Sequence, residues 1–335
     1  MIFLDEPIEK SIDTSPFRKT MTPVSKPVQQ QARVKKIRQA GPGHPAPRHQ
    51  GRDVMASTHF TGRPGNPAND ARATAFVEAR LAGRSLAAYP GALPASLAEA
   101  YLIQTHAISL WPDRVVGWKV GRINAPHDGT YGTDRLAGPI FARQLTRASD
   151  AAGTAFLFNG GFGAIEGEIV IEVGEDAPAG KTVWSLADAT KMAATARLGV
   201  EIASSPFAEI NDHGPLVTIS DFGNNNGLII GGEIPSWRDA SPSNWRLRTL
   251  IDGVEVGAAD ASAIPGGPLE SFRAVLEICA RQGHPLKRGM QVTTGAVTGV
   301  HPLRAGQTAR IEMNGMEAIT CTAAPAMAQQ PDNAH

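Results

Sequence analysis

The sequence predicts an α+β protein in which a small helical part precedes a large curved sheet. Three observations predict it. Helical patterning with capping residues is concentrated between about 69 and 111. After Pro112, short β-branched runs recur, punctuated by glycine and proline. Only two helical stretches interrupt those runs, and no repeat of solenoid period is present. At 335 residues and 42% hydrophobic, the chain is long enough to bury a sizeable core.

The elements are expected in this order. Residues 1–54 are rich in Pro, Gln and Lys/Arg, with ten Lys/Arg against five Asp/Glu centred on Arg33-Val34-Lys35-Lys36-Ile37-Arg38. Such a segment buries too little to offset its ordering entropy, so a disordered extension is expected, with Met55 as the expected true start. Residues 55–112 form the helical part. Asn69-Asp70 caps a helix through Ala82, ended by Gly83. Ser96 with Glu99 is a capping box for a second helix, stopped by Pro112. The β-rich part, 113–322, has strand candidates at 115–120, 155–158, 165–173, 216–219, 228–231, 246–251, 291–297 and 308–313. Helices are expected at 185–198 and 269–282, and a disordered tail at 323–335.

Bulk properties narrow the function classes. A formal net charge of zero gives no support for a nucleic-acid or acidic-membrane partner. No segment approaches the roughly 18 apolar residues of a membrane span. The two cysteines, Cys279 and Cys321, imply no disulfide framework and fit a reducing cytoplasm. No Gly-x-Ser-x-Gly elbow and no phosphate-binding glycine loop is present.

The residues that could carry chemistry are mostly acidic. In Ala164-Ile165-Glu166-Gly167-Glu168-Ile169-Val170-Ile171, strand alternation puts Glu166 and Glu168 on one face and Ile165, Ile169 and Ile171 on the other. Two adjacent carboxylates repel unless a cation or proton separates them, but a solvated strand face is equally ordinary. Glu201, in Val200-Glu201-Ile202, needs a partner if buried: either a shared cation or an arginine such as Arg197. Lys119, in Gly117-Trp118-Lys119-Val120-Gly121, either snorkels outward or faces inward and is paired. Asn224-Asn225-Asn226 suits a turn with positive φ. The loop Thr293-Thr294-Gly295 could hold a carboxylate on its backbone N–H groups, or be a plain strand end. His106 and His301 read as ordinary helix and loop residues.

Taken in order, these pieces resemble the 2-oxopent-4-enoate (2-hydroxypentadienoate) hydratases and 4-oxalocrotonate decarboxylases of the fumarylacetoacetate hydrolase superfamily. The residues that carry the resemblance are Gly117 to Gly121, Ile165 to Glu168, Val200-Glu201-Ile202, Ser220-Asp221 through Asn225 to Gly227, Gly231-Gly232, and Thr294-Gly295-Ala296 before Gly306. The resemblance covers about residues 68–321 and implies a distorted β-roll with flanking helices. It implies Mg²⁺ or Mn²⁺ held by Glu166, Glu168 and Glu201, with Lys119 and Asp221 as catalytic residues. It also implies that Asn225, Thr294 and Gly295 line the substrate site. The implied substrate is a small 2-oxo or 2-hydroxy dienoic acid, and self-association is expected on the same ground. Hydration and decarboxylation of such acids both pass through a dienolate that a Lewis acid stabilises. The expected activity is hydration, with decarboxylation, acylpyruvate hydrolysis and a metal-binding non-enzyme as successive alternatives. Relatives commonly carry an acidic residue and an arginine after the third glutamate, where this chain has Ser204-Ser205-Pro206.

Overall fold

A computed structural model describes residues 70–148 and 153–328, all within one compact unit. The basic segment 1–54, the expected start at Met55 and residues 329–335 lie outside the described residues. Two helices open it. In α1 (Ala71–Leu81) the Asp70 carboxylate accepts from the Arg72 N–H, and Gly83 follows in the left-handed region with φ 61°. In α2 (Leu97–Leu110) Ser96 Oγ accepts from the Glu99 N–H. Glu99 reaches back one residue further than a capping box requires, accepting from Ala95 N at 2.8 Å.

The larger sheet holds β1 (Val115–Arg122), β2 (Arg135–Phe141), β3 (Leu145–Arg147), β5 (Phe162–Val173), β6 (Ala193–Ser205), β7 (Asn225–Glu233), β10 (Gln291–Thr293) and β11 (His301–Pro302). Its order is β2-β1-β10-β5-β6-β7-β3, with β11 paired to β5. A second sheet runs β4 (Gly153–Leu157), β13 (Ile319–Pro325), β12 (Thr308–Met313), β8 (Arg246–Ile251), β9 (Val254–Asp260). Helices α3 (His127–Tyr131), α4 (Leu186–Met192), α5 (Pro215–Ser220) and α6 (Pro268–Arg281) flank the sheets.

The larger sheet curls on itself. Ile140 of β2, Val170 of β5, and Leu228 and Ile230 of β7 meet in one small buried cluster, with Val116 and Leu145 against it. Strands from opposite ends of the sheet thus share an interior. The other face of β5 and β6 (Ile165, Ile169, Ile171, Leu198, Val200, Ile202) joins the main core with Leu247, Ile311 and Ile319 of the second sheet. Both faces of β5 are therefore buried, unlike the one-sided strand that alternation alone describes.

Four sequence expectations change. The strand at 216–219 is helix α5: Gly214, at φ 82°, turns the chain and Pro215 starts a helix. The helix at 185–198 ends at Met192, because Ala193 onward pairs with β5 along a register running from Val173↔Ala193 to Phe162↔Ser205. Its alanine-rich sequence favours a helix weakly, and the ladder overrides that preference. Strand 291–297 stops at Thr293, since the next two N–H groups turn to a carboxylate described below. A last strand that was not expected, β13, carries the β-rich part to Pro325, past its expected end at 322, because Ala323–Pro325 pair with Ala155–Leu157. Among the described residues no helix is long and apolar enough to cross a membrane.

Candidate metal centre

Register brings the acidic residues together. Glu166 on β5 lies directly opposite Glu201 on β6, so both side chains leave the sheet on the same face. Glu168 is opposite Gly199, which has no side chain to crowd it. One carboxylate oxygen from each of Glu166, Glu168 and Glu201 falls within a 4.8 Å cluster, and all three residues are buried. The solvated-face reading of the Glu-x-Glu pair is therefore excluded. So is the Glu201–Arg197 pair, because Arg197 faces Glu172 and Glu233.

Lys119 points inward. Its Nζ lies 3.1 Å from Glu201 Oε1, and it is 5% exposed. Asn225 Nδ2 donates to the same oxygen at 3.3 Å, and Thr293 Oγ1 donates to Glu201 Oε2 at 3.1 Å. The Thr294 and Gly295 N–H groups, expected to hold a carboxylate, hold that of Glu168: both donate to its Oε2, at 2.8 and 2.7 Å. Glu168 Oε1 accepts from no group.

The electrostatics follow from this crowding. Burial, reinforced by the charge of Glu201, pushes the Glu166 carboxyl up to about 7. Burial and both neighbouring glutamates push Glu168 well above the carboxylate range. Burial alone would lower the Lys119 ammonium, but the carboxylates of Glu201, Glu166 and Glu168 outweigh it and raise it. One ammonium faces three carboxyl groups, so their full ionisation would leave two negative charges to be matched. A divalent ion matches them, and the partnerless Glu168 oxygen gives it a ligand atom. Hard oxygen donors suit Mg²⁺, Mn²⁺ or Ca²⁺.

A 2-keto-4-pentenoate hydratase of Burkholderia vietnamiensis (strain G4 / LMG 22486) is 25% identical over 250 residues, covering 73% of this chain and 93% of that protein. In sequence and fold the chain is similar to proteins of the fumarylacetoacetate hydrolase superfamily. Its fold matches the 4-oxalocrotonate decarboxylase of Pseudomonas putida G7, solved with calcium and acetate and with magnesium and adipate. In each case the TM-score is 0.63 at 18% identity, covering 76% of this chain and 96% of that one. No protein-family model matches.

Asp221 lies outside the glutamate cluster. Both its oxygens are engaged by Arg80, at 2.5 Å from Nε and 2.9 Å from Nη2, and Ser205 Oγ donates to it at 2.6 Å. Arg80 is the residue that sequence reasoning missed. It is 2% exposed and also donates to Asn225 O (3.1 Å), Asn226 Oδ1 (3.2 Å) and Ser204 O (3.2 Å). One guanidinium from α1 thus ties the end of β6 to the start of β7, the two strands that carry Glu201 and Asn225. The turn between Asp221 and Asn225 has Phe222, Gly223 and Asn224 in succession at positive φ (52°, 64° and 65°). It lies against β2 at Gly138, where a Cβ would come 2.1 Å from Phe222 O. A signal for Arg80 existed: it continues the buried stripe Ala73, Phe76, Val77 at helical spacing, where a cation must be paired. His301, by contrast, sits on β11 with Nε2 3.0 Å from Thr298 O, and takes no part in the cluster.

Proposed function

We propose that the protein is a metal-dependent lyase that hydrates a small 2-hydroxy-2,4-dienoate to a 4-hydroxy-2-oxo acid, acting in the cytoplasm. The observation that carries this reading is the buried cluster Glu166, Glu168 and Glu201 with Lys119 against it. The hydratase relative, which spans nearly its whole length on this chain, supports the reaction class.

The three glutamates would hold Mg²⁺ or Mn²⁺, which when bound acts as a Lewis acid toward charge developing on the substrate. The Thr294 and Gly295 N–H groups fix Glu168 Oε2 and leave its other oxygen free to bind. Asn225 and Thr293 fix Glu201. Lys119, held protonated by its neighbours, presents a positive charge and a proton beside the reacting acid. The curled sheet keeps these groups away from bulk water, where each interaction is stronger.

The direct test supplies 2-hydroxypenta-2,4-dienoate with Mg²⁺ or Mn²⁺ and follows loss of dienol absorbance. Turnover that requires the metal is expected. Folded, metal-loaded protein without turnover would sink the hydratase reading, and release of CO₂ from 2-oxohex-3-enedioate would move it to decarboxylation. Cleavage of acetylpyruvate would instead mark hydrolysis. Glu168→Gln should lower metal-dependent activity by at least about 100-fold, the upper end of what losing a mere supporting partner of a metal ligand costs.

A further inference from the structure

A second cavity opens at the other end of the roll from the glutamates. Along β5 the inward residues run Glu166, Glu168, Val170, and on β7 Leu228 opposes Glu201 with Ile230 beyond it. The apolar cluster of Ile140, Val170, Leu228 and Ile230 therefore closes the glutamate end off from this cavity. On its far side Val116, Leu145 and Ile230 form part of the wall of a space of about 360 Å³.

Four cations surround that space: Arg114, Arg147, Lys287 and Arg288. They come from three separate stretches of chain: Arg114 just before β1, Arg147 in β3, and the adjacent Lys287 and Arg288 on the approach to β10. Lys287 Nζ pairs with Asp176 at 3.2 Å. The other Asp176 oxygen accepts the backbone N–H of Arg288, and Asp113 accepts the backbone N–H groups of Arg114 and Arg143. Among the described residues no carboxylate reaches the guanidinium groups of Arg114, Arg147 or Arg288. The wall also includes Gln291, 5% exposed, whose Nε2 donates to Gly289 O. Like charges gather around one concavity at an electrostatic cost unless an anion is there to share.

We propose that this cavity binds a small organic oxyanion, with a carboxylate or phosphate head and a short apolar body. Guanidinium forks match both head groups bidentately. Val116, Leu145, Ile230 and Met290 accept the body, and the volume limits it to about the size of a single ring or a short chain. This site is distinct from the glutamate cluster in both charge and position.

The test is calorimetric titration of the full-length, Mg²⁺-loaded protein at low ionic strength with two probes, sodium benzoate and inorganic phosphate. Because either probe could also meet a metal at the glutamates, the same titrations are run on Glu168→Gln. Binding of at least one probe is expected to persist in Glu168→Gln and to weaken at least tenfold in Arg114→Ser/Arg147→Ser. It should also weaken with added NaCl. Arg288→Ser, a third exposed position, gives an independent variant with a smaller expected loss. The site is benzoate-type if only benzoate binds this way and phosphate-type if only phosphate does. Binding of neither probe, or binding by the arginine variants equal to wild type, overturns the proposal. Failure of the hydratase assay would leave it untouched.

Discussion

Two buried charge clusters stand next to each other in this fold, and they are built to opposite rules. Around Asp221, one arginine meets one carboxylate, Ser205 donates to that carboxylate, and the other guanidinium N–H groups are matched by Ser204, Asn225 and Asn226. Around Glu201, one lysine meets three carboxylates, and one Glu168 oxygen has no partner. The first cluster is closed and the second is open. A closed cluster in a low-dielectric interior fixes geometry. An open one is tolerable only if a cation or protons complete it. Neighbouring asparagines divide between them: Asn225 serves Glu201 and Asn226 serves Arg80.

Removing one member should expose the difference most strongly. Arg80→Met leaves Asp221 as a buried, unpaired charge, and unfolding in urea should show a loss of about 3–5 kcal/mol. The double variant Arg80→Met/Asp221→Leu should recover most of it, since an apolar pair of similar size replaces the ion pair. Glu168→Gln should do the reverse in metal-free protein and leave stability unchanged or raised, because it thins a crowd of like charges while still accepting from Thr294 and Gly295. If Arg80→Met costs no more than Glu168→Gln, the distinction between closed and open clusters fails.

The open cluster was more legible in the sequence than the closed one. Glu166 and Glu168 share a strand, so their common face follows from alternation alone. Glu201 required the β5–β6 pairing, and the sequence obscured it, because Ala193–Leu198 reads as the end of a helix. That pairing is a long-range ladder which no local propensity records. Arg80 lies 141 residues from Asp221 in the chain, and only the α1 stripe hinted that it must be paired. Strands β2, β9 and β13 went unread for a related reason. Gly138 and Pro139 in β2, and the alanines of β9 and β13, are weak strand formers placed there by their neighbours. The Thr294-Gly295 loop was read as a carboxylate holder, and the carboxylate it holds belongs to the protein.

The asparagine pair offers a finer test. Asn225→Ala removes a donor to Glu201 and should weaken Mn²⁺ binding about 10–100-fold, as loss of a partner to a metal ligand does. Asn226→Ala removes a partner of Arg80 and of Phe156 O instead. It should lower the unfolding free energy by about 1–3 kcal/mol through the groups left unsatisfied, with Mn²⁺ affinity within about twofold of wild type. Calorimetric titration with Mn²⁺ together with urea unfolding separates the two outcomes. Equal effects of both changes on both readouts would show that the clusters act as one.

The smallest expected effect is a pH dependence confined to the open cluster. Burial and the Glu201 charge raise the Glu166 carboxyl from an ordinary 4.5 to about 7. Between those values the folded protein holds a proton that the unfolded chain has released. Without metal, stability contributed at this position is therefore present below the ordinary carboxylate value and falls as pH rises through about 7. A divalent ion must displace that proton and the one held by Glu168, so its apparent affinity should climb with pH through about 7. Titrating Mg²⁺ at pH 6 in two buffers of different ionisation enthalpy measures the protons released, and more than one is expected, since Glu166 and Glu168 are both raised. Affinity that stays flat from pH 5.5 to 8 would mean the three carboxylates are already ionised before the metal arrives. The crowding of charge in the open cluster would then be borne without shared protons.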